Sequence, residues 1–253
     1  MQEPNLRASR RSKRRIRSVV KRTLLKFMNR SNAYFMQRAP DWLEAYEPQL
    51  ATLREAWVAW GRAGNEADQV RLIFIISMVE HLKELKIPGA FAELGVFQGH
   101  TAKLFNELDP NRDLYLFDTF AGFSQHDLAK ETGDASADHF KNTSLEQVRG
   151  FLGDKKNIVF CPGYFPESAA GVPAGQTFAM VHLDCDLYQP THEGLKFFYP
   201  RLAPGGLMIL HDYKNSVSWP GVKKAVDEFL ADKKESLILI PDLAGTAAFT
   251  KCK

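Results

Sequence analysis

From residue 89 onward, short apolar runs alternate with stretches of helical periodicity. Ala90-Phe91-Ala92-Glu93-Leu94 and Leu114-Tyr115-Leu116-Phe117 read as buried strands, as do the runs over 157–161, 178–183 and 206–210. Helical patterns fill 100–108, 143–152 and 190–202 between them. Strands that alternate with helices predict a parallel sheet with helices on both faces. A helix over 220–234 follows, then two close strands over 237–241 and 246–251, which can pair as an antiparallel hairpin across Asp242-Leu243-Ala244-Gly245.

Upstream, Trp42, Ala45, Tyr46, Leu50, Leu53, Trp57 and Trp60 recur at helical spacing. Asp68 is placed to cap a second helix whose apolar positions are Leu72, Ile75, Ile76, Val79 and Leu82, and Ile87-Pro88-Gly89 ends it. The expected organisation is a tail over 1–30, a helical extension over 31–88 and an α/β domain over 89–253.

Composition narrows the class. Hydrophobic residues make up 45% and charged residues 25%, as in a soluble globular protein. The longest apolar run, 72–79, is too short to span a membrane. Lys21, Arg22 and Lys26 interrupt what would be the core of a signal peptide. Cys161, Cys185 and Cys252 are odd in number and far apart, which predicts neither a disulfide framework nor a zinc site and fits a reducing cytoplasm. The net charge of +3 hides an asymmetry: residues 1–30 hold eleven Lys or Arg against Glu3, so the rest of the chain is acidic. The tail reads either as a solvated segment or as a basic amphipathic one that meets a membrane surface or an acidic partner. Nucleic-acid binding is a further option from the tail, but the domain is acidic and lacks a basic aromatic groove, so no specific nucleic acid is expected.

Chemistry collects at the carboxyl ends of the strands, where doubly wound sheets bind ligands. Gly95 and Gly99 follow the first strand and allow close approach to a helix N-terminus. Asp118 lies one strand–helix–strand step beyond Glu93, where an acid accepts hydrogen bonds from a ribose diol. The G-x-x-x-G spacing lacks the dinucleotide fingerprint and the Lys-Ser/Thr of a phosphate loop, which argues against NAD and ATP. Asp184 and Asp186 are two apart where the fourth strand runs out, and Asp212 ends the fifth. If strands four and five are parallel neighbours, Asp184 and Asp212 face one small volume. Clustered carboxylates repel unless a cation sits between them, and hard oxygen ligands suit magnesium. His182 alternates off that face and His192 falls in the first turn of a helix. Tyr188 and Trp219 flank the cleft, as core packing or as a platform for a sugar ring. The long polar segment over 124–142 is a candidate lid.

Six motifs, in order, resemble the macrocin O-methyltransferase family: Glu93-Leu94-Gly95-Val96-Phe97-Gln98-Gly99, Phe117-Asp118-Thr119-Phe120-Ala121-Gly122-Phe123, Pro162-Gly163-Tyr164-Phe165-Pro166, Leu183-Asp184-Cys185-Asp186-Leu187-Tyr188, Leu202-Ala203-Pro204-Gly205-Gly206 and His211-Asp212-Tyr213. The resemblance spans residues 67–250. It implies a Rossmann-like class I methyltransferase fold with a seven-stranded, mostly parallel sheet, S-adenosylmethionine as cofactor, a divalent metal (usually magnesium) and homo-oligomers. Carried over by motif, Glu93 and Gly95 border the methionine moiety with Val96, Phe97 and Gly99 in the same turn. Asp118 and Thr119 lie at the ribose, and Gly163 and Tyr164 at the adenine. Asp184 and Asp212 become metal ligands and Asp186 the base. The family shows Asp-Asp-Tyr where this chain has His211-Asp212-Tyr213, so His211 either ligates a different metal, serves as a base without one, or orients Asp212. The expected activity is metal-assisted methyl transfer to a hydroxylated small molecule, a sugar or a glycosylated natural product. The alternatives are a surface polysaccharide or lipid-linked sugar as acceptor, or a non-catalytic cofactor-binding module.

Overall fold

The structure is a computed structural model that describes residues 68–132 and 135–252. The basic tail over 1–30 and the helical pattern from Trp42 to Trp60 lie outside the described residues.

Helix α1 (Gln69–Glu84) starts where the sequence predicts, with the Asp68 side chain accepting the Arg71 N–H at 3.2 Å. Its Leu72, Ile75, Ile76, Val79 and Leu82 are all buried. The chain then runs through β1 (Ala90–Leu94), α2 (His100–Leu108), β2 (Leu114–Asp118), α3 (Gln125–Leu128), α4 (Leu145–Leu152), β3 (Ile158–Pro162) and β4 (Phe178–Leu183). It continues with α5 (Tyr188–Phe198), β5 (Leu202–Leu210), α6 (Pro220–Leu230), β6 (Ile238–Leu239) and β7 (Ala247–Thr250). Among the described residues no helix is long and apolar enough to cross a membrane.

The seven strands pair in the order β3-β2-β1-β4-β5-β7-β6. All neighbours are parallel except β7, which runs antiparallel to β5 and β6. This is the Rossmann-like class I methyltransferase architecture. β1 and β4 are buried along their whole length, as strands covered on both faces must be. The register pairs Leu94 with Leu183 and Leu183 with Leu210, so β1, β4 and β5 end level with one another. The chain winds outward from β1 to β2 and β3 on one side and from β4 to β5 on the other. The crevice between β1 and β4 is therefore the switch point where ligands bind.

Some boundaries move. β5 begins four residues before the predicted strand, because Leu202 pairs with Phe178 ahead of a register shift. The helix predicted over 190–202 starts at Tyr188 and tightens into a 3₁₀ turn at Tyr199–Arg201, which carries Pro200. α5 packs so closely on the sheet that a Cβ on Gly194 would lie 2.9 Å from Leu94 and 3.2 Å from Leu183. A side chain there would have to displace both leucines, so glycine favours the close approach that sets α5 directly behind the strand ends that carry the site.

Candidate active site

The first wall of the crevice is backbone. Gly95 leaves β1 at φ 92°, and a Cβ there would sit 1.9 Å from the Asp184 carbonyl oxygen. The turn thus rests directly on the chain leaving β4. The Val96 and Phe97 N–H groups both donate to Asp118 Oδ2, at 2.7 and 2.8 Å. The Phe120 N–H donates to Oδ1 at 2.7 Å. Asp118 therefore organises the turn around it, a task its position alone did not reveal. Thr119 Oγ1 donates to the Gly122 carbonyl at 2.7 Å and closes the next turn.

These residues open on one cleft of about 870 Å³. Its lining includes Glu93, Gly95, Val96, Phe97, Asp118, Thr119, Gly163 and Tyr164. Gly99 is buried behind the cleft as the N-cap of α2. Tyr164 donates its hydroxyl to Asp127 Oδ1 at 2.6 Å, and burial followed by that carboxylate holds the phenol well above its ordinary range.

Behind the cleft, Glu93 Oε1 lies 2.9 Å from His182 Nδ1, both side chains being buried. Strand pairing puts the two opposite each other. Burial lowers the His182 imidazole to about 3 and, with the charge of Asp184, pushes the Glu93 carboxyl well up. His182 is a buried strand histidine paired with Glu93.

The second wall is made of charge. Asp184, Asp186, His211 and Asp212 bring their ligand atoms within 4.8 Å of one another. His211 Nδ1 stands 2.7 Å from Asp184 Oδ1 and 2.6 Å from Asp212 Oδ2. It forms no aligned hydrogen bond with either, and a single ring N–H cannot serve two acceptors. A nitrogen and two carboxylate oxygens that converge this closely fit a protonated imidazole bridging the two acids, or a shared cation in its place. The donor set is usable by magnesium, manganese or a softer divalent ion. Asp186 and Asp212 hold left-handed backbone at φ 63° and 58°, strain of the kind that gathers at working sites. Burial, then Asp184 and Asp212, raise the Asp186 carboxyl well above its ordinary range. Burial pushes Asp184 up too, but His211, His182 and Arg71 outweigh it and hold the carboxyl low. Burial and Arg71 lower His211, yet Asp184 and Asp212 carry it up to about 9.

Several contributors were missed in the sequence. Arg71 Nη1, from α1, lies 3.6 Å from Asp184 Oδ2. Asn215 Nδ2 donates to Asp212 Oδ1 at 2.8 Å; its place one turn after Asp212 was the available signal. The segment over 124–142 holds α3 and lends Asp127, Asp138, His139 and Phe140 to the lining, next to Phe123 just before it. Trp219 joins them there, whereas Tyr188 and His192 are not part of the lining. The Tyr188 hydroxyl donates to Glu228 at 2.7 Å and its ring stacks on His192.

A family model described as "Macrocin-O-methyltransferase (TylF)" matches residues 11–245. The chain is 32% identical over 143 residues to 8-demethyl-8-(2,3-dimethoxy-alpha-L-rhamnosyl)-tetracenomycin-C 4'-O-methyltransferase of Streptomyces olivaceus, covering 50% of this chain and 54% of that protein. It is 30% identical over 186 residues to demethyldecarbamoylnovobiocin O-methyltransferase of Streptomyces niveus, covering 67% and 70%. The match thus spans about half the length of the first relative. The solved structure of the O-methyltransferase NovP superposes with a TM-score of 0.63 at 26% identity, covering 76% of this chain and 84% of that one. The chain belongs to the macrocin O-methyltransferase family, a family of S-adenosylmethionine-dependent O-methyltransferases.

Proposed function

We propose that this chain transfers the methyl group of S-adenosylmethionine to a hydroxyl of a sugar carried by a small molecule. In this reading a divalent cation, magnesium, is held by Asp184, His211 and Asp212. The observation that carries the reading is the meeting, in one cleft, of a glycine turn suited to a nucleoside and a carboxylate–imidazole cluster suited to a cation.

The roles follow from position. Gly95, Val96 and Phe97 let the methionine and ribose approach the backbone, and Asp118 keeps that turn in shape while offering the one remaining lone pair of Oδ1 to a ribose hydroxyl. Gly163 and Tyr164 border the adenine, and Glu93, paired with His182, closes the floor beneath the methionine. A sulfonium is already a strong electrophile, so the residues must align the acceptor oxygen and remove its proton. A divalent cation bound at the cluster lowers the pKa of a hydroxyl. Asp186, beside the ligands and on the same turn, takes the proton. Asn215 fixes the Asp212 carboxylate. The same proposal makes 1–30 a basic tail outside the catalytic domain over 89–253, with the enzyme acting in the cytoplasm and self-associating.

Calorimetry with S-adenosylmethionine and S-adenosylhomocysteine, followed by transfer of labelled methyl to a panel of glycosides with magnesium, tests the proposal. Folded protein that binds neither compound would sink it.

A further inference from the structure

We propose that Glu131 is a positioning residue for methyl transfer: its carboxylate joins the turn that carries Asp186 to the segment over 124–142 and to the start of α6. The proposal rests on the reading of the cleft as a methyl-transfer site with Asp186 as its base. Glu131 follows α3, is half-buried and does not line the cleft. Its Oε1 accepts the N–H of Tyr188 at 2.6 Å. Tyr188 opens α5 two residues after Asp186, so this bond fixes the peptide on which the Asp186 turn ends. The same carboxylate rests against α6. A Cβ at Gly221, the second residue of that helix, would lie 2.6 Å from Oε2 and 2.8 Å from Oε1.

The two helices lack what Glu131 supplies. Neither α5 nor α6 has a side-chain bond at its N-cap, and neither carries an acid in its first turn. Helix N-termini leave N–H groups unpaired within the helix and favour negative charge. The two ends lie side by side: the Cβ position at Gly221 is 2.7 Å from the Tyr188 nitrogen. One carboxylate from outside both helices therefore serves both. Burial raises the Glu131 carboxyl, as does Asp127, while the Tyr188 N–H and Lys224 favour its charged form.

What the carboxylate joins decides its use. On the cofactor side the segment over 124–142 is tied down by the buried Asp127, which accepts the Tyr164 hydroxyl at 2.6 Å. Toward the acid cluster, Lys130 donates to Gln189 of α5 at 3.3 Å and Glu131 takes the Tyr188 N–H. Farther along, His139 and Phe140 line the cleft and meet the Trp219 ring at 5.7 and 6.1 Å between centroids. Trp219 is the N-cap of α6, directly before the glycine turn of helix on which Glu131 rests. Glu131 thus stands behind Asp186 on one side and behind Trp219 on the other. Asp186 needs such a hold, because its φ of 63° is left-handed backbone that persists only where the surroundings fix it. In the reaction the sulfur–methyl bond breaks, the oxygen–methyl bond forms and the hydroxyl proton goes to Asp186. Glu131 touches none of these atoms and acts by keeping the proton acceptor in line, where a misplacement of about 1 Å can cost about a hundredfold in rate.

The test compares Glu131→Ala and Glu131→Gln in the full-length protein with magnesium. In steady-state transfer to the glycoside that the labelled-methyl panel turns over, Glu131→Ala should lower kcat by about 10–100-fold and leave both KM values within about twofold. Glu131→Gln keeps an acceptor for the Tyr188 N–H and should recover much of the loss. Hydrogen exchange read by mass spectrometry, with S-adenosylhomocysteine bound, needs no acceptor. In Glu131→Ala, peptides over 124–142 and 186–190 should exchange at least about tenfold faster while β1 and β4 stay unchanged. A kcat within twofold of wild type, a raised KM at unchanged kcat, equal losses in the two variants, or exchange that is unaltered in those segments or raised equally throughout the domain would each overturn the proposal. Failure of the wild-type protein to bind S-adenosylhomocysteine would instead overturn the methyltransferase reading itself.

Discussion

At the β1–β2 end the cleft is made of backbone, and at the β4–β5 end it is made of side-chain charge. The first end satisfies itself: Asp118 accepts three N–H groups, and the turn needs nothing further to hold its shape. The second end does not. Three carboxylates and an imidazole crowd together, with His211 Nδ1 set between two acceptors it cannot serve at once. Clustered like charges at close range are costly, and the cost falls when a cation neutralises them. One half of the site is preorganised without a ligand, and in the proposed reading a cation would organise the other.

The largest expected effect breaks the charged half alone. Asp184→Ala or Asp212→Ala should reduce methyl transfer by about 10²–10⁴-fold, since both the cation and the proton acceptor lose their setting. S-adenosylhomocysteine affinity should change little, which separates chemistry from cofactor binding. Comparable losses in both would mean that the halves are not independent.

Gly95→Ala attacks the backbone half. The left-handed φ alone costs about 1–3 kcal/mol in a residue with a side chain, and the contact with the Asp184 carbonyl adds to it. A lowered Tm with cofactor binding lost is the expected result in calorimetry. A normal melting curve with intact cofactor binding would show that the turn is more pliant than its contacts imply.

Asp118→Ala should act on the same half more gently. Hydrogen bonds to a charged acceptor contribute about 1.5–3 kcal/mol, so cofactor affinity should fall by about 10–100-fold while the fold survives. Asp118→Asn should recover part of that loss, because the amide oxygen can still accept from Val96 or Phe97. Equal loss in both variants would place the effect in the ribose contact and not in the turn.

The smallest effect belongs to His192→Ala. His192 pairs with Glu193 at 3.5 Å and stacks on Tyr188, outside the lining of the cleft. kcat/KM should stay within about twofold of wild type, as for surface changes generally. A large drop would bring α5 into the acceptor site.

The fold was legible because strands buried on both faces write themselves as uninterrupted apolar runs, and the strand ends then fall at Glu93, Asp118, Asp184 and His211. The candidate site was legible wherever its residues sit at those ends. What stayed hidden depends on how separate elements pack. Glu93 and His182 are far apart in the chain and meet only through the β1–β4 register. Arg71 lies before the first strand and reaches Asp184 only because α1 packs against α2. The aromatic side chains of the lining, Phe97, Phe123, His139, Phe140 and Trp219, come from three segments, none of which carries a periodic signal. Tyr188 shows the opposite limit: its motif sits at the site, but as the first residue of α5 it turns toward Glu228 on α6.

The central claim is that Asp184, His211 and Asp212 hold a divalent cation, and manganese binding followed by electron paramagnetic resonance tests it without any acceptor. Manganese takes the same oxygen and nitrogen donors as magnesium and reports its own binding. The account predicts about one tight site per chain in the presence of S-adenosylhomocysteine, lost in both Asp184→Ala and Asp212→Ala and retained in Asp186→Asn. Absence of a tight site in the wild-type protein, or a site indifferent to loss of Asp184 and Asp212, would contradict it.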